Sequence, residues 1–249
     1  MIASRGNALL EIAANSPASA LAAQDGGAGR IELCTALELG GLTPSHGQIA
    51  KVRDGVRVPI HVLIRPRAGD FVYADVELDV MLHDIETSVA LGCDGVVIGV
   101  LDGNGDVDVA RCRTLIAATR GRDVTFHRAF DLSRDLSRSL EDIVALGCRR
   151  VLTSGARASA QAGAAAIRRL VEQAGERIVV MPGGGIDAGN VAALRRLTGA
   201  REFHASARRP RPSRQPPGPA ELADMASGEL RTDRDEVAAL VAELRAVPG

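Results

Sequence analysis

The sequence predicts a TIM (β/α)8 barrel, an α/β fold, as a single domain over residues 1–249. Three observations lead there. Short β-branched or apolar runs alternate with longer helical patterns along the whole chain. The eight runs begin 21 to 36 residues apart, the length of one strand–helix unit, and parallel strands need such crossovers. The total of 249 residues is the size at which eight such units close a barrel.

The runs, in order, are LLEIAA from Leu9, RIELCT from Arg30, PIHVLIRP from Pro59, GVVIGV from Gly95, DVTFHRAF from Asp123, RVLTSG from Arg150, RIVVMPGGG from Arg177 and REFHASAR from Arg201. Between them, Ser16-Pro17 and Thr43-Pro44 each offer a side-chain cap followed by proline at the first helical position. VALGCDGVVIG from Val89 and VALGCRRVLTSG from Val144 repeat one design: a helix end, a glycine cap and a buried strand. Cys93 and Cys148 then read as small apolar residues beneath those turns. The stretch 208–232 opens with RRPRPSRQPPG, lacks core residues at its start, and reads as a mobile loop or lid at the end of the eighth strand; a last helix spans Arg234 to Arg245.

Composition narrows the function. Hydrophobic residues at 46% and charged residues at 24% describe an ordinary globular protein. A net charge of -1 gives no general attraction to nucleic acid or anionic membrane, and 2% aromatics with no Trp argue against base stacking. No apolar run is long enough to span a bilayer, and the first residues do not form a secretory signal, so the chain reads as cytoplasmic. Its four cysteines lack the spacing of a zinc or iron–sulfur site. DGNGDVD at Asp102 opens like a calcium loop, but Val107 and Arg113 stand where the turn glycine and the bidentate glutamate belong.

Charged residues inside strands carry the functional signal, because a buried charge must be paired or must face a solvated mouth. Period two sets Glu32 with Cys34, Arg65 with Arg67, Thr125 with His127, and His204 with Ser206. Glu11, Glu32, Arg65 and His127 come from four strands and are expected to converge at one end of the barrel. There they would form an acid–base and anion-holding set, with Asp131 orienting His127 or the substrate and Arg67 at the rim. Gly183, Gly184 and Gly185 after strand seven, with His204 and Ser206 on strand eight, read as a phosphate-binding loop region. A structural ion-pair network filling the lumen, and a tight turn at the glycines, remain the alternatives. His61 falls near the start of its strand and reads as structural; His46 and His83 read as surface residues.

The segments RIELCTALELGGLTPSHG, IRPRAGDFVYAD, VTFHRAFD, RVLTSG, IVVMPGGGI and EFHASAR, in this order from about Leu9 to Arg208, together resemble the CutC copper homeostasis family. The resemblance implies a TIM-like fold, a cytoplasmic setting, a link to copper and assembly into homo-oligomers, dimers or tetramers. Some members carry one cysteine just after the glutamate of strand one and another in the IELC segment. Here Ala13 takes the first place and Cys34 the second. Cys34 is therefore the candidate ligand for Cu(I), with Met181 a conceivable second soft donor. Two readings stay open: a copper homeostasis protein, or a barrel enzyme acting on a phosphorylated or carboxylated small molecule.

Overall fold

The structure, a computed structural model, describes residues 8–213 and 229–247. Eight parallel strands run as β1 (Leu9–Ala14), β2 (Arg30–Leu33), β3 (Ile60–Leu63), β4 (Gly95–Ile98), β5 (Asp123–Phe126), β6 (Arg150–Thr153), β7 (Val179–Pro182) and β8 (Glu202–Ala205). They lie in the order β7-β6-β5-β4-β3-β2-β1-β8, and a parallel bridge between Gly183 and His204 joins the two ends into a TIM barrel. Helices α1 (Pro17–Asp25), α2 (His46–Gly55), α3 (Asp75–Ala90), α4 (Val109–Ala118), α5 (Leu136–Ala145), α6 (Ala164–Ala174), α7 (Val191–Thr198) and α8 (Arg234–Ala246) follow the strands in turn. Among the described residues, no helix is long and apolar enough to cross a membrane.

The outward strand face builds the main core. Ile12, Ile31, Val62, Phe126 and Phe203 pack against helix residues such as Ile49, Met81, Leu115, Ile167 and Leu240, all essentially without solvent exposure. Burying a side chain of this size stabilises the fold by roughly 1.5–3 kcal/mol. Helix starts are fixed by side-chain caps at Ser16, Asp108, Asp135 and Asp233. Gly92 and Gly147 both take φ 79° at helix ends, a conformation open to glycine without strain.

Two local expectations differ. Ser45, not Thr43, caps α2 by accepting from Gln48 N–H; Thr43 Oγ1 accepts from Arg65 N–H instead and ties the β2 loop to the β3 loop. The segment expected as a loop over 208–232 begins and ends in paired strands. β9 (Arg208–Arg211) and β10 (Glu229–Thr232) form an antiparallel ribbon with Arg208 opposite Thr232. Alternate side chains of such a ribbon need no core of their own, which explains the missing hydrophobic signal. Residues 214–228 of that loop, with Arg214, Pro216 and Pro217, lie outside the described residues. The Asp102 turn is held by its own carboxylate, which accepts from the N–H groups of Asn104 and Asp106, a self-closed Asx turn.

Candidate functional site

Inward-facing residues fill the barrel in tiers. At the N-terminal end of the strands the lumen is a saturated ion network. Arg30 donates to Glu11, to Glu202 at 2.6 Å and to the Met181 sulfur at 3.3 Å. Arg150 donates to Glu202 at 3.2 Å, to Asp123 at 3.1 Å and to Thr125 Oγ1, and its guanidinium lies 3.4 Å from His61 Nδ1. Burial, together with the two arginines, pushes His61 down to about 3, so it is a neutral spacer. Gly95 makes room for it: a Cβ there would meet His61 Nε2 at 2.7 Å.

Glu11 belongs to this network rather than to the mouth. Its carboxylate is fully buried. Burial raises its pKa, but Arg30 and His204 outweigh that and hold it well below the usual carboxylate range. It sits low because β1 pairs it with Arg30 of β2, whereas Glu32 pairs with Ala13, one inward position further up. An ionised carboxylate only accepts, so the 2.8 Å contact to His204 fixes a proton on His204 Nδ1. The other ring nitrogen, Nε2, turns to Glu32 at 3.7 Å.

Above this contact opens a cavity of about 280 Å³ at the C-terminal end of the strands, the end where barrels carry their chemistry. Glu32 and His204 line it, together with His127, Arg65, Gly184 and Ser206. Burial lifts Glu32 to about 7, opposed by His204 and reinforced by Glu11. Burial alone would lower His204, but the two glutamates raise it. Each group's charge acts on the other's proton affinity, so Glu32 and His204 are a coupled acid–base pair. Such a pair can take a proton from a ligand and give it back.

The rim is cationic. Arg128 lines the cavity; it donates to Asp131 at 2.8 Å and to Ser154 Oγ at 2.7 Å. Its Nη1 reaches across Gly184, where a Cβ would stand 3.5 Å from it. Gly184 and Gly185 take φ 98° and 70° and present backbone to the cavity. Arg208, also in the lining, donates to Ser206 Oγ at 3.3 Å. Two guanidinium groups, a hydroxyl and bare glycine backbone in one place suit a phosphate or carboxylate. Arg128 and Arg208 were not among the expected site residues. β5 ends at Phe126, and a 3-10 turn over Arg128–Leu132 redirects the chain, so strand periodicity gives no signal for Arg128.

Several expected residues take other roles. Arg65 lines the cavity but spends its guanidinium on the carbonyls of Leu39, Gly41 and Gly69, pinning two loops, while stacking 4.8 Å over the Phe71 ring. Arg67 is not at the rim. β3 ends at Leu63, so alternation does not extend to Arg67, which binds Glu77, Asp70 and the Val72 carbonyl outside. Asp131 does not touch His127; it accepts from Thr153 Oγ1, Ser154 N–H and Ala156 N–H and so fastens the β6 loop and aims Arg128. Gly183 is wall, not cradle: its N–H bonds the Thr153 carbonyl at 2.9 Å, and a Cβ there would collide with Leu152 at 2.5 Å. His127 faces the cavity, yet the charged neighbour that depresses it is Arg65, not a glutamate.

Copper fits poorly. Cys34 has no exposed surface and packs with Ala13, Leu63 and Val97. Its thiol lies 3.7 Å from the Ala14 carbonyl, and burial, with Glu32 nearby, pushes its pKa well up, away from the thiolate that Cu(I) prefers. The Met181 sulfur already accepts from Arg30. Glu11, Glu32 and His204 place one donor each within 4.8 Å, but these are oxygen and nitrogen donors, and Arg30 already holds Glu11.

Comparison with known proteins agrees with the fold and the motif order. A CutC protein of Xylella fastidiosa is 56% identical over 232 residues, covering 93% of this chain and 87% of the relative. One of Bacteroides fragilis is 48% identical over 203 residues, 81% of each chain. The solved CutC structure of Streptococcus agalactiae, named for copper homeostasis, superimposes with a TM-score of 0.76 at 35% identity, over 79% of this chain and 97% of that one. Residues 8–209 match the CutC family model, and with these relatives the match places this chain in the CutC family.

Proposed function

We propose that the chain serves copper homeostasis, the role for which its Streptococcus agalactiae relative is named, and that its working site is the barrel mouth rather than a thiolate cage. On this reading the mouth holds a small anionic molecule and moves a proton on it. One observation carries it: His204, oriented by Glu11, turns Nε2 toward Glu32 beside a cavity whose rim bears Arg128, Arg208, Gly184 and Ser206. The rim supplies charge and backbone for a phosphate or carboxylate, and the Glu32–His204 pair supplies the proton. The four cysteines are buried and free, which supports a reducing cytoplasmic setting.

Calorimetry with inorganic phosphate tests the rim. Arg128→Ala removes one charge-assisted contact and should weaken phosphate about tenfold or more, from roughly 1.5–3 kcal/mol per such bond. Gly184→Val forces a branched side chain into a positive-φ position and should abolish binding. Wild-type affinity in both variants would remove the anion from this mouth.

A further inference from the structure

His127 is a buried group that the reading above leaves unexplained. It lines the same cavity as Glu32 and is 5% exposed. It also caps the 3-10 turn that follows β5: the Ala129 N–H donates to His127 Nδ1 at 3.1 Å. A cap must accept, so Nδ1 carries a lone pair and the neutral ring keeps its proton on Nε2. That Nε2 is buried and has no hydrogen-bond partner. A buried donor left alone loses its hydration with nothing in return, and such atoms in native proteins point to a missing partner. Gly99 shapes this arrangement. A Cβ there would lie 2.5 Å from Nδ1 and 2.4 Å from Cε1, so only glycine lets the ring seat that edge against β4. Phe71, with its centroid 4.9 Å from the imidazole, holds the ring face.

We propose that His127 is a neutral hydrogen-bond donor whose Nε2–H receives a carbonyl oxygen of the ligand, and that the ligand is a small carbonyl compound carrying a phosphate or carboxylate. This deepens the reading of the mouth as an anion-holding acid–base site and rests on it. The step balances without a further reagent. The Glu32 carboxylate takes a proton from the carbon beside the carbonyl. The C–H electron pair becomes a C=C bond, and the carbonyl π pair moves to oxygen. The enolate oxygen is held by His127 Nε2–H, and the Glu32 carboxyl returns the proton to the carbon it left: the C=C pair closes the C–H bond, the oxygen lone pair re-forms the carbonyl, and Glu32 is again a carboxylate. Ring charge supports the role: burial first, then the Arg65 cation, pull His127 down to about 3 against a favourable contact with its own backbone. A neutral imidazole can donate to an enolate without giving its proton away, as the neutral histidine of triosephosphate isomerase does.

The test uses the full chain labelled with 15N-histidine and two probes, inorganic phosphate and 2-phosphoglycolate, whose planar carboxylate resembles an enediolate. Two-bond 1H–15N spectra should show His127 as the Nε2–H tautomer, unchanged from pH 5 to 8. 2-Phosphoglycolate should move its Nε2–H proton downfield, and inorganic phosphate should bind without moving it. His127→Asn keeps an accepting cap but has no Nε2–H; it should weaken 2-phosphoglycolate at least tenfold and leave phosphate affinity as in wild type. If both anions bind with the His127 signal unmoved, or if His127→Asn binds 2-phosphoglycolate like wild type, His127 is only a cap and the inference falls alone. An Nδ1–H tautomer has the same consequence, and it is read on the wild-type protein whatever the variant's stability. If neither anion binds, the anion-site reading and this inference fall together.

Discussion

The two ends of the barrel lumen are built from the same residue types and differ in how completely those residues are partnered. At the N-terminal end, each charge has an opposite charge against it: Arg30 between Glu11 and Glu202, Arg150 between Glu202 and Asp123. At the C-terminal end, Glu32 faces His204 at 3.7 Å, beyond a normal hydrogen bond. His127 Nε2 has no hydrogen-bond partner, and Arg128 is partly exposed beside glycine backbone. Buried charge is therefore no signal of function by itself. The incompletely satisfied end is where a ligand has something to contribute, and the saturated end gives the rigid floor that holds Glu11, and through it His204, in place.

The sharpest way to break this contrast is to remove a cation from the floor. Arg30→Met takes the arginine from the fully buried Glu11 and leaves Glu202 with Arg150 alone. Breaking a buried pair from one side costs about 3–5 kcal/mol, so the urea midpoint should fall steeply, while Arg128→Ala at the mouth should change stability by less than about 1 kcal/mol. Similar midpoints for the two variants would mean that the floor is not the structural end.

Of this contrast, the sequence reveals the face of each residue and not its height. Alternation places Glu11, Glu32, His127 and His204 inward, and all four are inward. Strand starts at Leu9, Arg30, Gly95, Asp123 and Arg150 coincide with those of the observed strands, and at the last four a glycine or charged residue marks the boundary. Height comes from the stagger between neighbouring strands: Glu11 lies level with Arg30, whereas Glu32 lies level with Ala13, one tier up. No periodicity within a single strand contains that stagger. Residues beyond strand ends are harder still. Arg67 and Arg128 both follow a strand, yet the turn after β3 carries Arg67 outside and the turn after β5 swings Arg128 over Gly184.

A second prediction separates the ends by pH. Glu32 rises to about 7 in the folded chain from an ordinary carboxylate value near 4.5. A raised folded pKa means that the native state binds the extra proton, so this stabilising contribution is full below about 4.5 and is lost as pH climbs through 7. Wild type should therefore lose about 1.4 kcal/mol per pH unit relative to Glu32→Gln across roughly pH 5 to 7. Glu11 has the opposite sign: its depressed pKa gives stability present above about 4.5 and lost on acidification. Parallel stability curves for wild type and Glu32→Gln would show that Glu32 is as well compensated as the floor.

A small effect is expected at Cys34, and it decides how copper relates to the site. Cys34 stands two residues after Glu32 on the inward face, but Ala13, Leu63 and Val97 seal it, and its thiol is held protonated by burial. Cys34→Ser replaces sulfur by a hydroxyl that can reach the same Ala14 carbonyl, so the loss should stay near 1 kcal/mol. Under reducing, chelator-buffered conditions wild type and Cys34→Ser should take up Cu(I) equally, because a buried thiol packed against Ala13, Leu63 and Val97 is a weak site for a soft ion. A clear loss of Cu(I) in Cys34→Ser would require the Ala13–Leu63–Val97 cluster to open. The mouth would then be a metal port, and Glu32 would raise the affinity by its charge rather than act on a substrate.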